Sequence, residues 1–323
     1  QTSGTADINS PHRIPIKSSN LTSGVHSDID LGITSQLADG GRYEVSIEAF
    51  DKAGNKAIAS SISDVFFDIL PPNLTLTEPV NGSFINSVKI SYGTSEEMKK
   101  GTITFSRVNG SEDPNSPHII ELNKEQLKSG DHFSEQFDEV VNLKDGSIYR
   151  IDFSGEDLAG NIAKNILINN VTFDTSSPEL SILTPPSNGF YSNISMAIEI
   201  NELLLSGEII FEQKGGTNDP LSPHKIELKS DQLNIGKHSS ININSLTTLT
   251  SNAVYNIRLA GMDQAGNQGV SEEIANITFD EIPPDITIIS PDPDSFINSK
   301  TLGLKTNEVL SEAKVVWTWV DGT

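Results

Sequence analysis

Residues 51–55 read DKAGN, residues 157–161 DLAGN and residues 263–267 DQAGN, so nearly the same five letters return every 106 residues. A fixed period of that length means a folding unit copied in tandem, and it constrains the chain more than any single motif. The register extends well beyond the pentapeptide. SPHRIPI (10–16), SPHIIEL (116–122) and SPHKIEL (222–228) fall in phase, as do Gly24, Gly130 and Gly236, followed two places on by His26, His132 and His238. FDILPP (67–72), FDTSSP (173–178) and FDEIPP (279–284) share a phase, and so do Glu96, Glu202 and Glu308. Gln1 has the phase of Trp319, so the segment starts and stops at nearly the same point of the repeat and is expected to be cut from a longer array.

A unit of about 100 residues can bury a core of its own. Its hydropathy is that of strands. Tyr43, Val45, Ile47 and Ala49 alternate with polar residues ahead of the first pentapeptide; Tyr149, Ile151 and Phe153, then Tyr255, Ile257 and Leu259, do so ahead of the others. Period-two patterning predicts a half-buried strand. Runs at 73–79, 87–93, 101–108, 118–122, 132–138, 149–156 and 164–174, separated by Gly, Pro, Asn and Asp, predict seven strands in one unit. NKEQLKSG (123–130) is long enough for a single helical turn, and no sustained 3.6-residue stripe occurs.

The class is therefore all-β, and seven short strands in a unit this size favour a two-sheet sandwich. In LADGGRY (37–43), LKDGSIY (143–149) and LTSNAVY (249–255) a Leu precedes a Tyr by six places. This resembles the tyrosine corner of immunoglobulin-like and fibronectin-like sandwiches, whose phenol bonds to upstream backbone. Phe105, Phe211 and Trp317 fall on the third predicted strand, where such folds bury an aromatic. The expected architecture is a rod-like array of tandem immunoglobulin-like β-sandwiches of about seven strands. Complete repeats span 71–176 and 177–282; residues 1–70 supply the last four strands of a preceding unit and 283–323 the first three of a following one. Pro71, Pro72, Pro178, Pro283 and Pro284 restrict φ at the short junctions, which favours stiffness.

With a strand, D-x-A-G-N, a last strand and then F-D-x-x-x-P in each copy, the chain resembles the bacterial Ig-like repeats of large surface proteins and adhesins over essentially its whole length. The resemblance implies an extracellular, cell-surface, non-catalytic role, mechanical or adhesive, with neighbouring repeats or other copies of the chain as partners. It leaves open whether a cell-surface or glycan target exists.

Charge narrows the partners. Forty-four Asp and Glu against 22 Lys and Arg give a formal net charge of −22. Such a surface repels nucleic acid and anionic headgroups and favours divalent cations. No apolar run approaches a membrane span, so no membrane insertion is expected in this segment. With no cysteine, disulfides and thiolate chemistry are absent.

The pentapeptide has a structural reading and a sharper one. As a tight turn, Gly54, Gly160 and Gly266 adopt positive φ cheaply while Asp51, Asp157 and Asp263 accept bonds from turn amides. In a sandwich, however, this turn and the loop between the second and third strands face the tail of the preceding unit. Glu96 in TSEEMKKG, Asp157 and Asp68 are then expected to converge. The same geometry groups Asp174, Glu202 and Asp263, and Asp280 with Glu308. Clustered carboxylates repel one another, whereas Ca²⁺ takes six to eight oxygens in irregular cages. The expectation is calcium at the junctions, held by these acids, with Asp51 of the first pentapeptide as a further candidate ligand.

Two histidines per repeat, together with Asp7, Asp113 and Asp219, suggest a transition-metal site. The strand layout puts His118 and His132 at opposite ends of the unit, so hydrogen bonding that pins loops is the expected role. No phosphate loop, nucleophile elbow or HExxH occurs, and no enzyme is expected. Two further readings stand beside the stalk or adhesin: a filament in which the half-units of successive copies complement each other's strands, and a sugar-binding module. The latter calls for exposed aromatics at one phase, and Trp319 aligns with Gln1, Arg107 and Gln213.

Overall fold

Alternation along 147–157 and 98–110 has the outcome elementary pleating dictates: the two stretches pair antiparallel, with Phe105 opposite Ile151 and Ile103 opposite Phe153. All four side chains are fully buried. The computed structural model describes residues 3–32, 36–57, 60–137, 139 and 141–320, and the chain divides into two units, Gln1–Thr175 and Ser176–Thr323.

The first unit opens with β1 (Ser3–Gly4), β2 (Gly41–Ser46) and β3 (Ser61–Phe67), which form a three-stranded antiparallel sheet. There follow β4 (Leu74–Glu78), β5 (Phe84–Ile85), β6 (Lys89–Thr94), β7 (Met98–Gly110), β8 (His118–Glu121), β9 (Gly130–Gln136), β10 (Ser147–Asp157) and β11 (Ile166–Phe173). They make two sheets, ordered β4-β6-β9 and β5-β11-β10-β7-β8. Their inner faces enclose one apolar cluster that includes Tyr92, Met98, Phe105, Phe153 and Val171. Burial of each large apolar side chain contributes about 1.5–3 kcal/mol.

The second unit repeats this plan with β12 (Leu180–Thr184), β13 (Phe190–Tyr191), β14 (Ser195–Ile200), β15 (Leu204–Gly216), β16 (His224–Glu227), β17 (Gly236–Asn242), β18 (Ala253–Asp263), β19 (Gln268–Val270) and β20 (Ile274–Phe279). The sheets are β12-β14-β17 and β13-β20-β18-β15-β16, with β19 paired to β18. Phe211, Tyr255, Ile257 and Leu259 occupy the places of Phe105, Tyr149, Ile151 and Phe153. Beyond them β21 (Ile286–Ser290) and β22 (Gly303–Thr306) form a two-stranded ladder. Among the described residues no helix is long and apolar enough to cross a membrane.

Several local expectations need correction. The third strand is longer than 101–108, because β7 keeps its ladder with β10 from Met98 to Gly110 even where Lys99 and Lys100 interrupt the alternation. β5 pairs parallel to β11, a two-residue element too short to leave a periodic signal. Within 123–130 one helical turn is closed by the Leu127 N–H donating to Asn123 O (3.0 Å) before β9 begins at Gly130, and the second copy holds a 3₁₀ turn at Ser230–Leu233. Position 138 of the 132–138 run lies outside the described residues. Trp317, expected on a buried third strand, is exposed and outside any strand: no facing sheet covers it as one covers Phe105 and Phe211.

Candidate functional site

The repeated pentapeptide is a turn organised by its aspartate. At the end of β10, Asp157 is fully buried; Oδ1 accepts from the N–H of Gly160 (2.7 Å) and of Asn161 (2.9 Å), and Oδ2 from Asn161 Nδ2 (2.7 Å). Gly160 sits at φ +96°, where a Cβ is penalised. Burial pushes the Asp157 carboxyl up, but these hydrogen bonds outweigh it and hold the group below the usual carboxylate range. Asp263 repeats the arrangement, with Ala265 N and Asn267 N both at 2.8 Å from Oδ1 and Asn267 Nδ2 at 2.8 Å from Oδ2. Asp51 does the same in an exposed turn, where the Asn55 amide lowers its pKa most.

The Asp157 turn lies beside two further acids of the first unit. Asp68 follows β3, Glu96 lies in the loop between β6 and β7, and each of Asp68, Glu96 and Asp157 offers a carboxylate oxygen within 4.8 Å of the other two. Asn161 Nδ2 also donates to the Asp68 carbonyl (3.2 Å), tying the turn to the chain that leaves β3. The carboxyls of Asp68 and Glu96 are both pushed above their ordinary 3.8 and 4.5, first by desolvation and then by the neighbouring negative charges, Asp157 for the one and Asp68 for the other. An irregular, oxygen-only cluster, with Asp68 and Glu96 half-buried and Asp157 fully buried, offers the hard donors that a divalent cation such as Ca²⁺ takes.

The other acids are placed as follows. Asp174 follows β11, its N–H donating to Ile85 O (2.9 Å). Glu202 lies between β14 and β15, and Asp263 ends β18. Asp280 Oδ1 accepts from Ser251 Oγ and from Ile282 N, both at 3.0 Å, and Glu308 N–H donates to Thr306 Oγ1 (3.3 Å). Among the described residues neither Asp51 nor Asp280 and Glu308 join a group of three such ligands.

A second constellation recurs three times. Asp113 Oδ2 accepts from His118 Nε2 (2.6 Å) and from the Tyr149 hydroxyl (2.5 Å), while the Lys144 N–H donates to the phenol oxygen (2.9 Å). Asp219, His224, Tyr255 and Thr250 repeat it at 2.6, 2.5 and 2.9 Å, and Asp7, His12, Tyr43 and Ala38 at 2.6, 2.7 and 2.7 Å. The upstream backbone bond expected of the corner is thus an N–H donated to the phenol, and the phenol's own proton goes to the aspartate. In the second unit His224 Nδ1 also hydrogen-bonds with Thr247 Oγ1 (2.9 Å), so both ring nitrogens are engaged. The other histidines are used separately: His132 Nε2 donates to Lys128 O (2.9 Å) and the ring stacks on Tyr92 at 4.7 Å. Sequence reasoning noted the co-phased Asp and His but missed that one carboxylate oxygen also serves the tyrosine. The constant Asp-to-Tyr separation of 36 residues was the available signal.

No family model matches the chain, and no curated protein matches it by sequence. Solved structures that it resembles include the FN1–FN3 domains of chicken CNTN1, at 12% identity over 73% of this chain and 77% of that one, with a TM-score of 0.31. The fibronectin(III)-like modules of Clostridium thermocellum CbhA are 10% identical over 64% of this chain and 94% of theirs, at 0.30. The D00–D0 domain of intimin is 12% identical over 64% and 98%, at 0.25. Similarity this low carries no argument, and the class rests on the chain's own strand order. A three-plus-five-stranded and a three-plus-six-stranded sandwich, each with a tyrosine corner and a buried Phe–Tyr pair (Phe105 and Tyr149, Phe211 and Tyr255), define a tandem array of immunoglobulin-like β-sandwich repeats.

Proposed function

We propose that the chain is a non-catalytic repeat segment of an extracellular cell-surface stalk, adhesin or fibre, and that Ca²⁺ stiffens the joint between residues 1–70 and the sandwich that follows. The observation that carries the calcium reading is the meeting of Asp68, Glu96 and Asp157, drawn from a strand end, an inter-strand loop and the repeated turn. These acids come from both sides of the Pro71–Pro72 junction, so an ion shared among them restrains the joint where the prolines already limit φ. The repetitive build, with polar groups of each hub spent on one another, supports a mechanical role over a catalytic one.

Titration of chelator-stripped protein with CaCl₂ in a calorimeter is expected to show saturable uptake. At a free concentration 100 times Kd, binding raises the stability of the first unit by about 2.7 kcal/mol. Absence of heat at millimolar calcium, together with a melting curve that chelator does not alter, refutes the calcium reading.

A further inference from the structure

Three Asn-Gly pairs occur in the chain, at 81–82, 109–110 and 188–189, and all three asparagines are exposed. A side chain on the residue after an asparagine hinders attack by that residue's backbone nitrogen on the carboxamide, and glycine carries none. Exposure does not rank the three pairs, so their hydrogen bonds decide which can react.

Two of them are held by distant parts of the fold. Asn81 Oδ1 accepts from the Asn169 N–H (2.7 Å) while the Gly82 N–H donates to Asn169 O (3.0 Å), so both reacting groups are bound to one partner. Asn188 Oδ1 accepts from Asn276 Nδ2 (3.0 Å), and the Asn188 N–H donates to Ala275 O (2.9 Å). At Asn109 the bond on the carboxamide comes instead from the attacking nitrogen. The Gly110 N–H donates to Asn109 Oδ1 at 2.9 Å, and among the described residues that side chain has no other partner. The nucleophile thus rests one bond away from the electrophilic carbon, close to an attacking separation. The broad χ2 torsion of asparagine lets the carboxamide turn its face to it.

The glycine itself is required by the fold. Gly4, Gly110 and Gly216 share a phase and take φ of 81°, 75° and 72°, and a Cβ on Gly110 would collide with the Gly146 carbonyl oxygen. The residues before them are Ser3, Asn109 and Gly215, so the second of the three copies alone couples this glycine to an asparagine.

We infer that Asn109 is a site of spontaneous deamidation through a cyclic imide with Gly110, and that the modification loosens the first unit. The Gly110 nitrogen gives its proton to solvent base and bonds to Asn109 Cγ; the Cγ–Nδ2 bond breaks and ammonia leaves. Water then adds to either imide carbonyl, giving aspartate or, with the main chain rerouted through Cγ, isoaspartate. One water is taken up and one ammonia released. Either product adds a negative charge next to Gly110, whose carbonyl accepts from Arg107 Nη2 (2.7 Å). Isoaspartate also adds a methylene to the backbone where Asn109 pairs Ile148 and Gly110 pairs Ser147. That lengthening moves Gly110 away from the Gly146 carbonyl and shifts the loop that carries Asp113 to His118 and Tyr149.

In the test, the full chain is held in mildly alkaline buffer, and the three Asn-Gly peptides are followed over time by mass spectrometry, with the isoaspartyl forms separated by chromatography. Asn109 is expected to convert about tenfold faster than Asn81 or Asn188, each of which must first give up a hydrogen bond to the fold. In urea, where the fold is gone, the three rates are expected to converge. Conversion of Asn81 or Asn188 as fast as Asn109 in the folded chain, or the same ranking in urea, overturns the inference. Asn109→Ser, which copies the residue at Ser3, is expected to keep the melting of the first unit constant through the incubation, whereas the parent's first unit melts lower as isoaspartate accumulates. A parent whose first unit drifts no more than that of Asn109→Ser also overturns it.

Discussion

Replacing Asp219 by alanine is expected to destabilise the second unit by about 3–5 kcal/mol, the cost of breaking a buried, hydrogen-bonded pair by removing one partner. The carboxylate accepts from both the Tyr255 hydroxyl (2.5 Å) and His224 Nε2 (2.6 Å), and it also receives the Leu221 N–H at 3.0 Å. Alanine leaves those donors buried with nothing to receive them. Tyr255→Phe removes one of the bonds and leaves His224 in place, so a smaller loss of about 1–2 kcal/mol is expected. Urea unfolding with hydrogen exchange of the β18 amides reads both. An Asp219→Ala protein within 1 kcal/mol of the parent, in the sense of a typical surface change of about 0.5 kcal/mol, shows that the hub contributes little.

The same hub has a defined pH range. Burial raises the Asp219 carboxyl, but the bonds from His224 and Tyr255 overcome that and bring it to about 2. A depressed pKa means stability that is present above the ordinary 3.8 and lost as pH falls through about 2. Burial and then the bond to Asp219 hold the Tyr255 phenol up at about 12. That contribution is complete below the ordinary 10 and disappears as pH rises towards 12. Stability of the second unit is therefore expected to fall at both extremes, with Asp219→Ala flattening the acid limb.

Asp157→Ala and Glu96→Gln are expected to separate the turn from the ion. In excess chelator, Asp157→Ala loses three hydrogen bonds to a buried carboxylate and destabilises the first unit by about 2–4 kcal/mol. Glu96→Gln in chelator is expected to be neutral or slightly stabilising, because ionised Glu96 is opposed by desolvation and by Asp68 and Asp157. That raised pKa also means the parent gains stability as pH falls through it in chelator, since the repulsion is then relieved. With calcium added, only the parent recovers further stability. Thermal unfolding of the three proteins with and without the ion decides the matter; equal calcium stabilisation of Glu96→Gln and the parent removes Glu96 as a ligand.

How much of this was readable in advance depends on the range over which each feature is encoded. The strands around Tyr149, Ile151 and Phe153 were legible because pleating converts a period of two directly into an inside and an outside. The turn was legible too, since Asp157, Gly160 and Asn161 act on each other within five residues. The short parallel pairing of Phe84 and Ile85 with Thr172 and Phe173 was not, as it joins segments about 88 residues apart with no local pattern. Trp317 misled for a related reason: its phase says where a buried aromatic belongs, and burial needs a second sheet to lie over it.

Period, alternation and turn chemistry were thus enough to establish an all-β tandem array and the residues each copy retains. They left open what those residues touch. That Asp113 meets Tyr149 across 36 residues was decided only when the strands paired, and the approach of Asp68 to Glu96 and Asp157, expected from the sandwich topology, took its distances from the loops brought to one end of the sandwich. Local conformation follows from neighbours in the chain, whereas a hydrogen bond or an acidic cluster depends on distances of a few ångströms that strand register and sheet packing alone impose.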